Sequence, residues 1–207
     1  MTVFLSLVRH GQSQWNLENR FTGWVDVELS PLGESEASSA GVRMKDVPVD
    51  VVYTSDLKRA QNTMKLAMAA AGKKDFPVIA DAALNERHYG DLQGKNKAET
   101  AQEFGEEQVK IWRRSFDVPP PGGESLKDTL DRAWPYFEKA IAPQLKAGKN
   151  VAIFAHGNSL RALIMQLEGM TPDQILQYEL ATATPVIYEL DANLKIVNKK
   201  VLEPQKA

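Results

Sequence analysis

Two apolar runs far apart in the chain end in the same way, and that repetition constrains the fold more than any other feature. Val3 to Val8 is uncharged and stops at Arg9-His10-Gly11, while Val151 to Ala155, entered from Asn150, stops at His156-Gly157-Asn158-Ser159. Short continuous apolar runs bounded by glycine read as strands covered on both faces, the pattern of a parallel sheet. Ligands of open α/β sheets bind beyond the carboxyl ends of their strands. Two of the three histidines in the chain therefore stand where a ligand would be met. Either one alone can be a polar strand terminus; the pair reads as one site built from two strand ends. Gly11 lets the backbone turn sharply or approach a ligand closely. Arg9 offers a planar fork of donors suited to phosphate, and His10 can act as nucleophile, base or ligand.

Between and beyond these runs, strand and helix patterns alternate, which predicts one domain over 1–207: a three-layer α/β/α sandwich with a mostly parallel sheet. Residues 20–29 lack a period and read as a loop; Trp24 and nearby Trp15 either pack that loop onto the body or touch a ligand. Ser30-Pro31 starts a helix running to about Met44. Residues 49–55 form a second buried strand that enters a helix reaching Ala71, with Gly72 as the stop. Arg59 falls in the first turn of that helix, where a cation opposes the dipole. A bound anion shared with the helix terminus explains it, and so does a surface arginine. Residues 78–80 predict a short strand and 85–90 a polar loop.

Residues 96–114 predict two short helices broken near Gly105. Arg113 and Arg114 close the second, where cations suit the dipole with or without a ligand. Residues 118–123 are a stiff, exposed Pro-Gly connector. Ser125 and Asp128 resemble a capping arrangement. They open a helix with Leu126, Leu130, Trp134, Phe137 and Ile141 on one face, which puts Trp134 in the core and predicts a kink at Pro135. Residues 159–168 form a helix ended by Gly169. Thr171-Pro172 caps another, and 185–190 with 195–201 reads as a terminal hairpin.

Composition narrows the function classes. A net charge of −2 leaves no basic excess for nucleic acid or an anionic membrane, so any positive patch must be local. The absence of cysteine excludes disulfides, thiol chemistry and sulfur-ligated metals. No signal-peptide pattern opens the chain, and no apolar run approaches the ~20 residues that span a bilayer. Together these readings lead us to expect a cytoplasmic enzyme. There is no His-Glu-x-x-His spacing, and no metal is expected.

Leu7-Val8-Arg9-His10-Gly11 resembles the opening motif of the histidine phosphatase superfamily. Ser13-Gln14-Trp15-Asn16, Asn19 to Trp24, Leu84 to Gly90, Lys110 to Arg114 and Ala155 to Arg161 extend the likeness. From about Val3 to Val201 the chain is similar to the 2,3-bisphosphoglycerate-dependent phosphoglycerate mutases. Thr54-Ser55 with Arg59-Ala60 fits the superfamily's second phosphate-binding arginine.

The resemblance implies interconversion of 3- and 2-phosphoglycerate through a phosphohistidine at His10, primed by 2,3-bisphosphoglycerate, with small phosphoglycerates as partners. It implies that Arg9, Arg59 and His156 surround the transferring group and that Glu86 is its acid–base group. Gly157 and Asn158 would add donors. Arg87, Tyr89, Lys97, Arg113 and Arg114 would hold the carboxylate and distal phosphate, with Ser13, Asn16, Thr22 and Gly23 on the opposite wall. This is a short form: the connector between Arg114 and Glu124 and the tail after Val201 are shorter than in many relatives. Both bear on closure, side activities and whether the chain is a monomer or a dimer. A phosphatase of the same superfamily, a non-catalytic phospholigand module and a metallohydrolase are the competing readings.

Overall fold

In the computed structural model, which describes residues 2–204, six strands form one sheet. They are β1 (Val3–Arg9), β2 (Val51–Thr54), β3 (Val78–Ala80), β4 (Val151–Ala155), β5 (Val186–Leu190) and β6 (Ile196–Val201). Met1 and residues 205–207, the ends of the expected 1–207 unit, lie outside the described residues. The strand order is β3-β2-β4-β1-β5-β6; the first four run parallel and the β5–β6 hairpin adds antiparallel strands at one side.

Alternation along the buried strands gives each face its own core. Leu5, Leu7, Tyr53, Ile153 and Ala155 look one way; they pack with residues of α6 (Leu126–Tyr136), α7 (Ala142–Lys146) and α8 (Gly157–Glu168). Val8, Val52, Ala152 and Phe154 look the other way, toward α3 (Lys58–Ala70), which lies beside α2 (Pro31–Arg43). Leu5, Leu7 and Phe154 are fully buried; each such side chain contributes about 1.5–3 kcal/mol of transfer free energy. Helices on both faces make the expected α/β/α sandwich.

A third, smaller cluster of Phe21, Leu92, Val109 and Trp112 stands apart from the sheet. It seats α4 (Lys97–Phe104) and α5 (Glu106–Arg114). The short helices α1 (Gln14–Leu17) and α9 (Pro172–Gln177) complete the set. Among the described residues no helix is long and apolar enough to cross a membrane.

The structure gives three local expectations their detail. Gly11 makes a close approach to protein: a Cβ there would lie 2.2 Å from the Gly33 carbonyl oxygen, at the start of α2. The helix carrying Pro135 runs on to Tyr136 and changes just past the proline into a π turn over Phe137–Ile141, with Trp134 half-buried and stacked on Phe137. The Pro-Gly connector is exposed only in part. Pro120 is buried, Asp91 N donates to Pro121 O at 2.9 Å and Glu124 N donates to His88 O at 2.7 Å. The connector is fastened to the polar loop after β3.

Candidate active site

The register of β1 and β4 sets the centre of the site. Arg9 pairs with Ala155, and His10 N donates to Ala155 O at 3.0 Å, so the residues just past both strand ends lie side by side. The rings of His10 and His156 are 5.0 Å apart.

A hydrogen bond fixes the form of the His10 imidazole, and another anchors His156. His10 Nδ1 is 2.6 Å from the carbonyl oxygen of Gly11. That oxygen can only accept, so Nδ1 carries the proton and the Nε2 lone pair is free. His156 Nε2 is 2.7 Å from Ser55 Oγ, which also accepts from Leu57 N at 3.2 Å. The Ser55 hydroxyl, with one proton and two lone pairs, can donate to that ring nitrogen or accept from it, and His156 Nδ1 is a buried atom with no side-chain partner.

Burial pushes His10 well below its ordinary value, and the Arg59 and Arg9 charges add to the effect against the Gly11 carbonyl. Burial, Arg59, His10 and Arg9 lower His156 in the same direction. Both rings are therefore neutral near pH 7. The linkage has a definite sign: a base whose folded pKa is depressed takes up protons on unfolding, so stability is lost as pH falls below the unfolded value of 6.5. We expect unfolding free energy to fall by up to about 1.4 kcal/mol per pH unit for each histidine between pH ~6.5 and ~5.5. Urea unfolding across that window checks it; a flat profile would contradict the buried neutral pair.

Arginines converge on this centre, each held in part by backbone carbonyls. Arg9 Nη1 donates to Leu180 O at 2.8 Å. Arg59, second residue of α3, is buried and donates to Gly23 O at 2.7 Å and Val25 O at 3.0 Å, so it braces the loop of 20–29 rather than projecting from the surface. Burial brings it down to about 10 despite Glu86 and Asp26, which favour its charge. The Nε atoms of Arg9 and Arg59 are buried without partners, as is Thr22 Oγ1. A buried donor without a partner costs about 1–3 kcal/mol, and these line a single cleft with His10.

Glu86 faces them from the loop after β3. Its Oε1 accepts from Arg87 N at 2.8 Å and from Asn158 N at 3.0 Å, so the carboxylate sits at the amino terminus of α8, where the helix dipole favours negative charge. Its Oε2 lies toward Gly157.

The third core cluster positions the outer wall. With Val109 and Trp112 buried against Phe21 and Leu92, the last turn of α5 carries Arg113 and Arg114 to the cleft rim, both exposed. Arg114 also meets Glu179 at 3.4 Å, an exposed pair that contributes little. Lys97 opens α4, and burial with the Arg113 and Arg9 charges holds it below its ordinary value against the opposing pull of Tyr89. In all, seven cations (Arg9, Arg20, Arg59, Lys97, Arg113, Arg114 and Arg161) and two carboxylates (Glu86 and Glu179) line the cleft. In a chain of net charge −2 this is a strong local field for anions. Among the described residues no group of three or more His, Asp or Glu side chains is placed to hold a metal ion.

Of the residues singled out from the sequence, Arg9, His10, Asn16, Thr22, Gly23, Arg59, Glu86, Tyr89, Lys97, Arg113, Arg114, Gly157 and Asn158 line this cleft. His156 lies behind His10. Ser13 does not reach the cleft: it is buried and its side chain caps α1, accepting from Asn16 N. Arg87 lies beneath the wall, its guanidinium donating to Tyr89 Oη and Arg113 O. Burial would raise the Tyr89 phenol, but Arg87 and Lys97 bring it below its ordinary value. Arg20, Phe21, Arg161 and the segment Tyr178-Glu179-Leu180 line the cleft as well. Ser55 holds His156. Neither tryptophan touches the cleft: Trp24 Nε1 donates to Glu86 O, and Trp15 packs beside Gly94.

Residues 5–200 match the model of the histidine phosphatase superfamily (branch 1). The chain is 56% identical to the 2,3-bisphosphoglycerate-dependent phosphoglycerate mutase of Methylocella silvestris, over 99% of this chain and 100% of that one. It is 54% identical to the protein of the same name from Brucella anthropi, over 98% and 100%. Among solved structures it resembles YhfR of Bacillus stearothermophilus, with TM-score 0.82, 27% identity and 94% of each chain covered. A mycobacterial glucosyl-3-phosphoglycerate phosphatase superposes with TM-score 0.80, 25% identity and 97% of each chain covered. The fold is thus shared with phosphatases, whereas the end-to-end identity lies with mutases. With two strand-end histidines, a carboxylate at a helix terminus and a family match over nearly its whole length, the chain belongs to branch 1 of the histidine phosphatase superfamily, in the family of the 2,3-bisphosphoglycerate-dependent phosphoglycerate mutases.

Proposed function

We propose that this protein interconverts 3-phosphoglycerate and 2-phosphoglycerate in glycolysis and gluconeogenesis, through a phosphohistidine at His10 and without a metal ion. One observation carries the reading: a neutral imidazole with a bare Nε2 stands in a cleft of seven cations and two carboxylates. We read 1–207 as one catalytic domain, because strands and site residues from both halves interleave around one sheet, and the proposed glycolytic reaction places it in the cytoplasm.

The unpartnered Nε atoms of Arg9 and Arg59 and Thr22 Oγ1 suit a polyanion such as 2,3-bisphosphoglycerate. When bound, it supplies the phosphoryl group that primes His10. The chain's own residues do the rest. His10 Nε2 forms the new P–N bond in line as the ester P–O bond breaks, and its Nδ1–H stays on Gly11 O, which steadies the positive charge that develops on the ring. Arg9 and Arg59 supply donors for the equatorial oxygens, and His156 completes the surround of the transferring group. Glu86, carrying a proton, passes it to the departing alkoxide. In the return step it takes the proton of the attacking hydroxyl. Lys97, Tyr89, Arg113 and Arg114 hold the far end of the molecule, Asn16 and Gly23 line the opposite wall, and Gly157 and Asn158 add amide donors.

The outer arginines separate mutase from phosphatase. Either enzyme must hold the transferring phosphoryl group, but only a mutase must keep the doubly phosphorylated intermediate bound while its ends exchange. Hydrogen bonds to charged groups contribute about 1.5–3 kcal/mol, with exposure placing these near the low end. We expect Arg113→Ala or Arg114→Ala to weaken isomerisation about 10- to 100-fold while hydrolysis of a small aryl phosphate changes little. Parallel assays of both reactions check it. Normal isomerisation in both variants would make these arginines surface charges, and a wild type that hydrolyses phosphoglycerate without isomerising it would establish the phosphatase reading.

A further inference from the structure

Arg132 lies in the middle of α6, where the sequence alone presents it as one more polar residue of an amphipathic helix. Its guanidinium nevertheless grips the backbone of the loop that carries Glu86. Nη1 donates to Ala83 O at 2.9 Å and Ala82 O at 3.4 Å; Nη2 donates to Asn85 O at 3.0 Å and Glu86 O at 2.9 Å. These carbonyls belong to a 3-10 turn and its exit; Ala82 O also accepts from Asn85 N at 3.0 Å and Glu86 O from Trp24 Nε1, while Ala83 O and Asn85 O take Arg132 as their donor. Glu124 neutralises the guanidinium through both oxygens, at 2.8 and 2.9 Å, with each side chain only 21% exposed. The same carboxylate accepts from His88 N at 2.9 Å, so it also ties down the loop beyond Glu86. The Trp24 indole completes the clamp: its N–H meets Glu86 O, and its ring lies 5.5 Å from the Arg132 guanidinium carbon.

We propose that Arg132, neutralised and oriented by Glu124, is a positioning residue that aims the Glu86 carboxylate at the leaving oxygen. The proposal rests on the acid–base reading of Glu86. The carboxylate itself is fixed by two amides, Arg87 N and Asn158 N. Where that pair of contacts falls depends on the backbone of Glu86, and its carbonyl is pinned from two sides by Arg132 and Trp24. A lysine could not replace this fork, because one ammonium cannot span four carbonyls and a bidentate carboxylate. The short connector gains a role from this: by ending at Glu124 against the 88–91 loop, it delivers the counter-charge to the clamp.

A leaving group that needs no proton separates positioning from mere support of the fold. Single-turnover phosphorylation of His10 is measured with two donors, 2,3-bisphosphoglycerate, whose alkoxide must be protonated, and p-nitrophenyl phosphate, whose phenolate need not be. In Arg132→Met we expect the first rate to fall about 100-fold, the scale of a small misplacement of a reacting group, and the second to stay within a few-fold. Arg132→Lys and Glu124→Gln should show the same selectivity at about 10-fold, and they carry the test if the methionine variant does not fold. Equal losses with both donors, or no loss with either, would overturn the proposal. Glu86→Gln run alongside keeps the two readings apart. Selectivity in Glu86→Gln without selectivity in the Arg132 and Glu124 variants overturns the clamp alone; its absence in Glu86→Gln removes the acid–base role and the clamp with it.

Discussion

His10→Ala is expected to yield a folded protein that forms no phosphoenzyme and has lost isomerase activity by on the order of 10⁶-fold, the scale seen when a covalent nucleophile is removed. The expectation follows from the tautomer. Nδ1 is committed to Gly11 O at 2.6 Å, burial and two arginines keep the ring unprotonated, and only Nε2 can attack. His156, the other imidazole of the site, is fully buried, has Nε2 engaged by Ser55 and does not line the cleft, so it does not replace His10. Removal of a neutral ring whose one side-chain hydrogen bond is to Gly11 O should not unfold the protein. Acid-labile, base-stable incorporation of radiolabelled phosphate reports the phosphoenzyme directly. Incorporation undiminished in His10→Ala would move the nucleophile elsewhere.

Glu86→Gln should remain folded and slow catalysis by about 10²–10⁴-fold, the range for a positioned acid–base group. Glutamine keeps the shape and can still accept from Arg87 N and Asn158 N through its carbonyl oxygen. What it loses is the capacity to give up and take back a proton at Oε2, on the Gly157 side. Loss should therefore appear in kcat, with KM for 3-phosphoglycerate little changed, since the proposed hold on the distal anion lies in Lys97, Arg113 and Arg114 of α4 and α5. A variant within a few-fold of wild type would sink the assignment.

What the sequence made legible was whatever depended on local rules. β1 and β4 were visible because a strand covered on both faces is a continuous apolar run, and their His-Gly endings marked the site. Ser30, Ser125 and Thr171 cap helices as expected, because capping needs only three or four residues in sequence. The readings that went astray depended on the path of the chain in space. Ser13 belongs to a family motif, but a serine three residues before Asn16 is also a capping box, and the cap is what the structure shows. Arg161, Tyr178 and Leu180 enter the cleft only because α8 and the α9–β5 loop fold back over the end of β1. Arg161 reaches Ile175 O at 2.6 Å and Leu180 O takes Arg9. Nothing in their local spacing announces that return. Gly11 illustrates the same limit, since its tight partner, Gly33, is set by where α2 lands.

The central claim is that the phosphoryl group on His10 passes between positions of one glycerate skeleton. Protein treated with a chelator is primed with 2,3-bisphosphoglycerate radiolabelled in its phosphates, freed of excess donor, mapped for the labelled residue, and then chased with unlabelled 3-phosphoglycerate. The account predicts label on His10 before the chase and in 2-phosphoglycerate after it, with no added divalent metal. Label released only as inorganic phosphate, label on another residue, or transfer that requires restored metal would contradict it.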